Sequence, residues 1–167
     1  MEKAKNRALS FGFENMSFHA CDIEQYTHQS PVDAVFSLHA CDTATDKTIY
    51  LGIHCRARLI FSVSCCQHSL KKTLKGHPFA ALTRHQIFKD RLTYMVGDSL
   101  RSLLIEMQGY RSDIIEFVSS RSTDKNVMIR CERGQQKSQD KLRNEYEKLQ
   151  GTFNFTLPLE AYLKQGN

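Results

Sequence analysis

The sequence predicts an α/β fold with a mixed sheet, and three observations support this. Short apolar, β-branched runs alternate with a segment of helical periodicity, which is the pattern of strands joined by a crossover helix. Two of these runs, which end at Leu38 and Ser64, stop abruptly in small, polar and reactive side chains. The last two runs are joined by a segment too short for a crossover helix. We therefore expect a mostly parallel sheet with a C-terminal antiparallel hairpin.

The first third of the chain predicts a helix and then strands. Residues 2–9 have helix-forming composition, and Gly12 can adopt the left-handed conformation that ends a helix. Between the second and third predicted strands, Thr43–His54 shows helical spacing, with Asp42 or Thr43 placed to cap its start. The three predicted strands are residues 15–20, 32–38 and 57–64.

The remainder predicts a long helix, the hairpin and a helical tail. The helical pattern from about Thr83 to Met107 is expected to break near Gly97 and to stop at Gly109. The hairpin strands are predicted at residues 114–118 and 127–131. A strongly charged helix with little apolar surface is predicted at 135–150, and a docking segment at 157–163. The domain is thus expected to cover residues 1–134, with a helical extension at 135–167.

The composition is that of an ordinary globular protein. The chain has 167 residues, of which 41% are hydrophobic and 25% charged. No apolar run approaches the roughly 18 residues that a membrane span requires, and the first seven residues lack the apolar core of a signal peptide. The six cysteines have no regular spacing, so we expect reduced thiols in a soluble, cytoplasmic protein.

The net charge of +5 is unevenly distributed along the chain. A basic segment follows Gln67, in which Asp90 is the single acidic residue. Its basic residues are Lys71, Lys72, Lys75, Arg84, Lys89 and Arg91. An ordinary solvated face and a surface that contacts phosphate are both compatible with this pattern.

Three polar clusters are expected to converge at one edge of the sheet. If the first three strands are parallel, their carboxyl ends bring together residues 21–23, 39–42 and 65–68. Ligands of open α/β sheets bind outside the carboxyl ends of the strands. This edge is therefore the predicted site.

The thiols and imidazoles of these clusters allow three interpretations. Zinc is one, although the paired spacing Cys-x-x-Cys is missing. The zinc candidates are His39, Cys41, Cys65, Cys66 and His68. A cysteine nucleophile activated by His39 or His68 is the second. The favoured interpretation is that Cys21, Cys41 and one of the two adjacent cysteines pack as small apolar residues.

The aspartates of the clusters have competing roles. Asp22 is either a turn cap after a strand or a carboxylate that accepts a hydrogen bond from a ligand amine, with Ile23 against a flat ring. For Asp42, the sequence is compatible both with a helix-capping role and with a functional role. For Asp46 the capping role is favoured.

Two motifs resemble those of a known family. Residues 39–46 are His-Ala-Cys-Asp-Thr-Ala-Thr-Asp, and residues 65–68 are Cys-Cys-Gln-His. They resemble the ends of the fourth and fifth strands in a subgroup of class I S-adenosylmethionine-dependent methyltransferases, and residues 125–130 resemble its seventh strand. The chain is similar to the C-terminal two thirds of such an enzyme, over most of residues 1 to about 131.

This resemblance implies a Rossmann-like fold, S-adenosylmethionine as cofactor and a set of site residues. The implied cofactor-binding residues are Cys21, Asp22 and Ile23 at the adenine, and Ser37, Leu38 and His39 beside the methionine moiety. The implied substrate-binding residues are Cys65, Cys66, Gln67, His68, Lys71 and Lys72. The implied catalytic residues are His39, Asp42, Gln67 and His68, without a metal. Because the methyl group is already activated by sulfur, positioning in a dry pocket is what such a protein contributes.

The chain departs from the family pattern in two ways. None of its eight glycines forms a Gly-x-Gly, and the acidic residue that ends the second strand is missing. We therefore expect a fragment that lacks the first two strands. The family order is 3-2-1-4-5-7-6, so this loss opens a gap between strands 3 and 4. Either strand 3 re-pairs with strand 4, or a missing N-terminal segment or a homodimer fills the gap, or residues 1–31 are loosely held. The chain alone is expected to be inactive.

The sequence does not identify the methyl acceptor. The Pro-Pro-aromatic motif of amino-group methyltransferases is not present at residues 38–41, which argues against base amines. The basic segment after Gln67 suits a phosphate backbone, so RNA is the predicted partner, and no membrane is expected. A non-catalytic RNA-binding or scaffold module with the same fold is the alternative, and a cysteine-dependent enzyme is a third hypothesis.

Overall fold

Helices and strands are interspersed as far as residue 133, and two further helices follow. The computed structural model describes residues 1–28, 31–40, 42–74, 76–123, 125–134 and 138–165. The helices are α1 (Glu2–Ser10), α2 (Thr43–His54), α3 (His68–Thr73), α4 (Gln86–Met107), α5 (Gln139–Phe153) and α6 (Pro158–Gln165). The strands are β1 (Ala34–Ala40), β2 (Leu59–Ser64), β3 (Tyr110–Glu116) and β4 (Val127–Arg133).

The four strands form one mixed sheet in the order β1-β2-β4-β3. Strands β1 and β2 are parallel, with Phe36 opposite Phe61, and α2 is the crossover helix between them. Strand β4 pairs antiparallel with both β2 and β3. The mixed α/β fold and the C-terminal antiparallel hairpin are confirmed. The observed order is also the one that the resemblance implies for the last four strands of the family.

The predicted strand at residues 15–20 is wrong. This segment is irregular, and within it only Phe18 is even partly buried. In the described part of the chain β1 is an edge strand that pairs with β2 alone. A short run of β-forming residues needs a neighbouring strand and a buried face, and residues 15–20 have neither. Two strand ends therefore meet at the predicted edge instead of three.

Helix α4 also differs from the prediction. It begins at Gln86, after a 3₁₀ turn at Leu82–Arg84, and it continues without a break through Gly97 to Met107. Gly97 is buried against Gln67, so this glycine serves a close approach between elements and does not interrupt the helix.

The C-terminal helices belong to the main core. Helix α5 was expected to have little apolar surface, but it buries Leu142, Tyr146 and Phe153. Its predicted start at Gln135 lies outside the described residues. One apolar cluster joins residues of the sheet and of α2 and α4 to residues after 134. It contains Ile49, Ile60, Leu100, Ile129, Phe155, Leu157 and Leu159.

One face of the sheet near β1 is open to solvent. Because side chains alternate along a strand, Phe36 and Leu38 lie opposite the buried Ser37. Their side chains are 62% and 60% exposed, and the Phe36 ring stacks on the Phe61 ring at 4.6 Å. We call Phe36, Leu38 and Phe61 the open face. No helix in the described residues combines the length and the apolar character that crossing a membrane requires.

Candidate functional site

Asp42 ties the carboxyl ends of β1 and β2 together. Its backbone N–H donates to the Cys66 carbonyl at 3.1 Å. Its carboxylate accepts from the Ser69 N–H at 3.2 Å and from the Ser69 hydroxyl at 2.6 Å. Asp42 stands at the N-cap position of α2, but its side chain caps α3 instead. We call this arrangement of Asp42, Cys66 and Ser69 the Asp42 clasp.

The backbone entering the clasp is strained. His39 and Asp42 have φ values of +57° and +55°, in the left-handed region that favours glycine. Each such residue costs on the order of 1–3 kcal/mol and persists where the surroundings fix it, which is common at functional sites. Part of this support is the Cys65 thiol, which donates to the His39 carbonyl at 3.5 Å. Cys41, which the sequence also singled out, lies outside the described residues.

A cavity of about 270 Å³ lies beside the clasp. The Tyr94 hydroxyl donates to the Cys65 carbonyl at 2.8 Å, and Lys125 Nζ donates to the Tyr94 hydroxyl at 2.7 Å. The Lys71 ammonium forms an ion pair with Asp90 at the same cavity. We call it the Cys65 cavity. It is lined by Cys65, Cys66, Gln67, His68, Lys71, Asp90, Thr93, Tyr94 and Lys125.

A buried polar network connects the two motifs behind the clasp. The fully buried Arg101 guanidinium binds both oxygens of Asp46, at 2.8 and 3.2 Å, and donates to Asp98 at 3.0 Å. Asp98 also accepts from the Ser64 hydroxyl and from Gln67 Nε2, each at 3.1 Å. Asp46 at the end of the first motif is thereby linked to Gln67 in the second.

This network corrects the role expected for Asp46. Its carboxylate is buried in an ion pair with Arg101 and is not a helix cap. Burial raises the pKa of Asp46 and of Asp98, and the Arg101 charge opposes that rise. Sequence reasoning missed Asp98 and Arg101. The sequence pattern that indicates this buried pair is an Asp and an Arg three residues apart within the apolar stripe of a predicted helix.

The segment from Cys21 to Ile23 lies against α2. The Asp22 carboxylate accepts from the Glu24 N–H at 3.1 Å and from Lys47 Nζ at 3.2 Å, so it caps the 3₁₀ turn Ile23–Gln25. These two contacts, the Glu24 N–H first, hold the pKa of Asp22 below its ordinary value. Cys21 is exposed, which contradicts the expectation that it packs as an apolar residue.

The remaining predicted residues are divided between the interior and the surface. Ser37 is buried, and its hydroxyl has no hydrogen-bond partner among the described residues. Leu38 belongs to the open face, whereas His39 and Lys72 are exposed. Within the described ranges, no group of three or more His, Cys, Asp and Glu side chains is arranged to hold a metal ion.

The geometry defines a class, and one comparison refines it. A parallel strand-helix-strand unit with polar groups beyond its carboxyl ends is the ligand-binding arrangement of α/β proteins. Residues 1–73 match the model of a family described as a methyltransferase domain, and this segment contains both motifs. The match supports a methyltransferase domain and, in general terms, methyl transfer. No curated protein and no solved structure matched the chain.

Two glycine-to-alanine substitutions test the packing behind the cavity. A methyl group on Gly97 would overlap Gln67 Oε1 and would lie 3.2 Å from Gln67 Cδ. We expect Gly97→Ala to destabilise the fold by about 1–2 kcal/mol, because overpacking outweighs the gain in helix propensity. At Gly151 in α5 the space that a methyl group would occupy is open. Gly151→Ala is therefore expected to stabilise the fold by roughly 0.5–1 kcal/mol. Urea unfolding of both variants measures the difference, and equal effects would contradict it.

Proposed function

We propose that the chain is part of an S-adenosylmethionine-dependent methyltransferase whose reacting centre lies at the Asp42 clasp. The observation that supports this most strongly is the clasp itself. It joins residues 39–46 to residues 65–68, through backbone held in an unfavourable conformation. Both motifs also lie within the matched residues 1–73. Strain and convergence together favour a reacting centre over ordinary packing.

The residues present fit the adenine end of the cofactor. The Asp22 side chain is 51% exposed, and a carboxylate has about four acceptor positions. Its contacts with the Glu24 N–H and Lys47 leave room for a ligand amine. Asp22 and Ile23 would hold the adenine, while Ser37, Leu38 and His39 would adjoin the methionine moiety. Bound S-adenosylmethionine supplies a methyl group activated by positively charged sulfur.

The chain itself would contribute position and proton acceptance. Asp42 fixes the distance between the two strand ends, and the buried Gln67 holds the start of α3 against α4. The Cys65 cavity would receive the acceptor. His39 and His68 are exposed beside the clasp, where either imidazole would accept the proton that the acceptor loses.

We propose RNA as the acceptor class. In the basic segment after Gln67, Lys72, Arg84 and Arg91 are exposed, and Phe88 of the same segment is 47% exposed. Cations that track phosphates and aromatic rings that stack on bases are the two elements of single-stranded RNA binding. Lys75 of the same basic segment lies outside the described residues.

We further propose that a second polypeptide segment completes the sheet and that the chain alone is inactive. Strand β1 is an edge strand in the described residues, and the open face beside it exposes Phe36 and Leu38. An unprotected, uncharged edge with apolar neighbours favours pairing with another strand. An upstream segment and a second copy of this chain are the two candidates.

Calorimetric titration with S-adenosylhomocysteine tests the proposal. We expect weak, saturable binding that Asp22→Ala weakens about tenfold or more, because a charge-assisted hydrogen bond is lost. Asp113→Ala is the matched control, since Asp113 is also a partly exposed aspartate bound by cations, but on β3. Light scattering of the same samples reports whether binding requires a dimer. A folded chain that binds no S-adenosylhomocysteine, as a monomer or as a dimer, would overturn the proposal that this chain alone holds the cofactor.

The alternative is an RNA-binding or scaffold module without chemistry. The exposed cations after Gln67 favour this alternative, because contacts between cations and RNA phosphates do not require the Asp42 clasp. Under this alternative, RNA binding weakens steeply with salt and is unchanged by S-adenosylhomocysteine. Saturable binding of S-adenosylhomocysteine would therefore contradict this alternative.

A further inference from the structure

Two adjacent thiols line the Cys65 cavity. Cys65 and Cys66 are each partly exposed, and their sulfurs lie 3.8 Å apart. None of the described cysteines forms a disulfide. The Cys65 carbonyl, which belongs to the peptide bond between these two residues, accepts a hydrogen bond from the Tyr94 hydroxyl.

We propose that Cys65 and Cys66 are a reversible oxidation site, at which a peroxide converts the two thiols into a vicinal disulfide. One molecule of hydrogen peroxide is consumed per pair. Its O–O bond breaks, one S–S bond forms, and the two thiol hydrogens leave in two molecules of water. Each sulfur loses one electron, and the peroxide oxygens gain two.

The other described thiols are poorer targets. Burial raises the pKa of Cys131 to about 12 and raises the pKa of Cys55, which lowers the fraction of reactive thiolate. Cys21 is exposed but has no adjacent cysteine in the sequence. Only the Cys65–Cys66 pair offers both access and a second sulfur at close range among the described cysteines.

The disulfide would change the cavity because it forces the backbone to move. Neighbouring Cα atoms are about 3.8 Å apart, whereas disulfides usually span roughly 4.4–6.8 Å. The ring is therefore strained and easily reduced, which is the property of regulatory disulfides. Rotation of the Cys65–Cys66 peptide breaks the 2.8 Å hydrogen bond from Tyr94. Tyr94 and the Lys125 that donates to it are then released from the end of β2.

Peptide mapping after peroxide treatment of the intact chain tests the oxidation. Trypsin yields residues 59–71 as one peptide, in which Cys65 and Cys66 are the only cysteines. We expect this peptide to lose two hydrogens and to regain them with dithiothreitol. Cys65→Ser or Cys66→Ser abolishes that change, and the control Cys55→Ser leaves it intact. Sulfenic or sulfinic acid without the cross-link, or a disulfide from Cys41 to either residue, would overturn the proposal.

Tyr94→Phe tests the coupling to the cavity. This variant keeps the ring and removes the hydroxyl that stabilises the dithiol form. In a defined glutathione buffer, the ratio of disulfide to dithiol is expected to rise about fivefold, because one hydrogen bond opposes oxidation in the parent chain. An unchanged ratio would show that the peptide does not move, and would overturn the coupling.

Discussion

Replacing Arg101 with Met is expected to destabilise the fold by about 3–5 kcal/mol. The Arg101 side chain is fully buried and binds Asp46 and Asp98, which are themselves 1% and 5% exposed. Met has similar length but no charge, so both carboxylates would remain buried without a cation. Urea unfolding monitored by circular dichroism measures the loss.

Arg111→Met is the matched control, because the Arg111 side chain is 55% exposed on β3 and forms its ion pair with Asp113, which is itself partly exposed. Its effect is expected to stay within about 0.5 kcal/mol. Adding Asp46→Asn and Asp98→Asn to Arg101→Met should recover part of the loss, since no buried charge then remains unpaired. A loss below about 1 kcal/mol in Arg101→Met would contradict the network as described.

Replacing Phe155 with Ala is expected to destabilise the protein by roughly 3–5 kcal/mol. Phe155 follows α5, is completely buried and belongs to the same apolar cluster as Ile49 and Ile60. Removing its ring leaves a cavity in the main core, although this residue lies in the segment that the sequence suggested as an extension. Thermal and urea unfolding of the full chain measure the effect.

Phe11→Ala provides the comparison for Phe155. Phe11 is 68% exposed after α1, so the loss is expected to be no more than about 0.5 kcal/mol. If the two variants lost equal stability, or if Phe155→Ala unfolded in a separate early transition, the C-terminal helices would form an independent unit.

Locally determined elements could be predicted from the sequence. Helix α2 occupies the predicted range Thr43–His54, because its periodicity and the start signal lie within the segment itself. Strands β1, β2 and β4 each lie within about two residues of the predicted bounds, since each has its own run of apolar residues. The antiparallel hairpin was predictable because the segment that joins its two strands is too short for a crossover helix.

Features that depend on distant partners could not be predicted. Residues 15–20 have strand-forming composition, but a strand exists only where a neighbour pairs with it. Gly97 has no local signature that separates a helix break from a close contact with Gln67. Arg101 meets an aspartate 55 residues away, and nothing in the local sequence indicates that partner. The candidate site was thus predictable as two clusters of residues, but the buried network that connects them was not.

The buried network has an evolutionary consequence. Asp46 and Gln67 belong to different motifs. Asp46 binds Arg101 and Gln67 binds Asp98, and Arg101 and Asp98 also bind each other. A substitution at one of these positions therefore changes the energetic effect of a substitution at another. The two motifs are expected to accumulate changes as a single epistatic unit, in which joint replacement of Asp46, Asp98 and Arg101 is tolerated better than replacement of Arg101 alone.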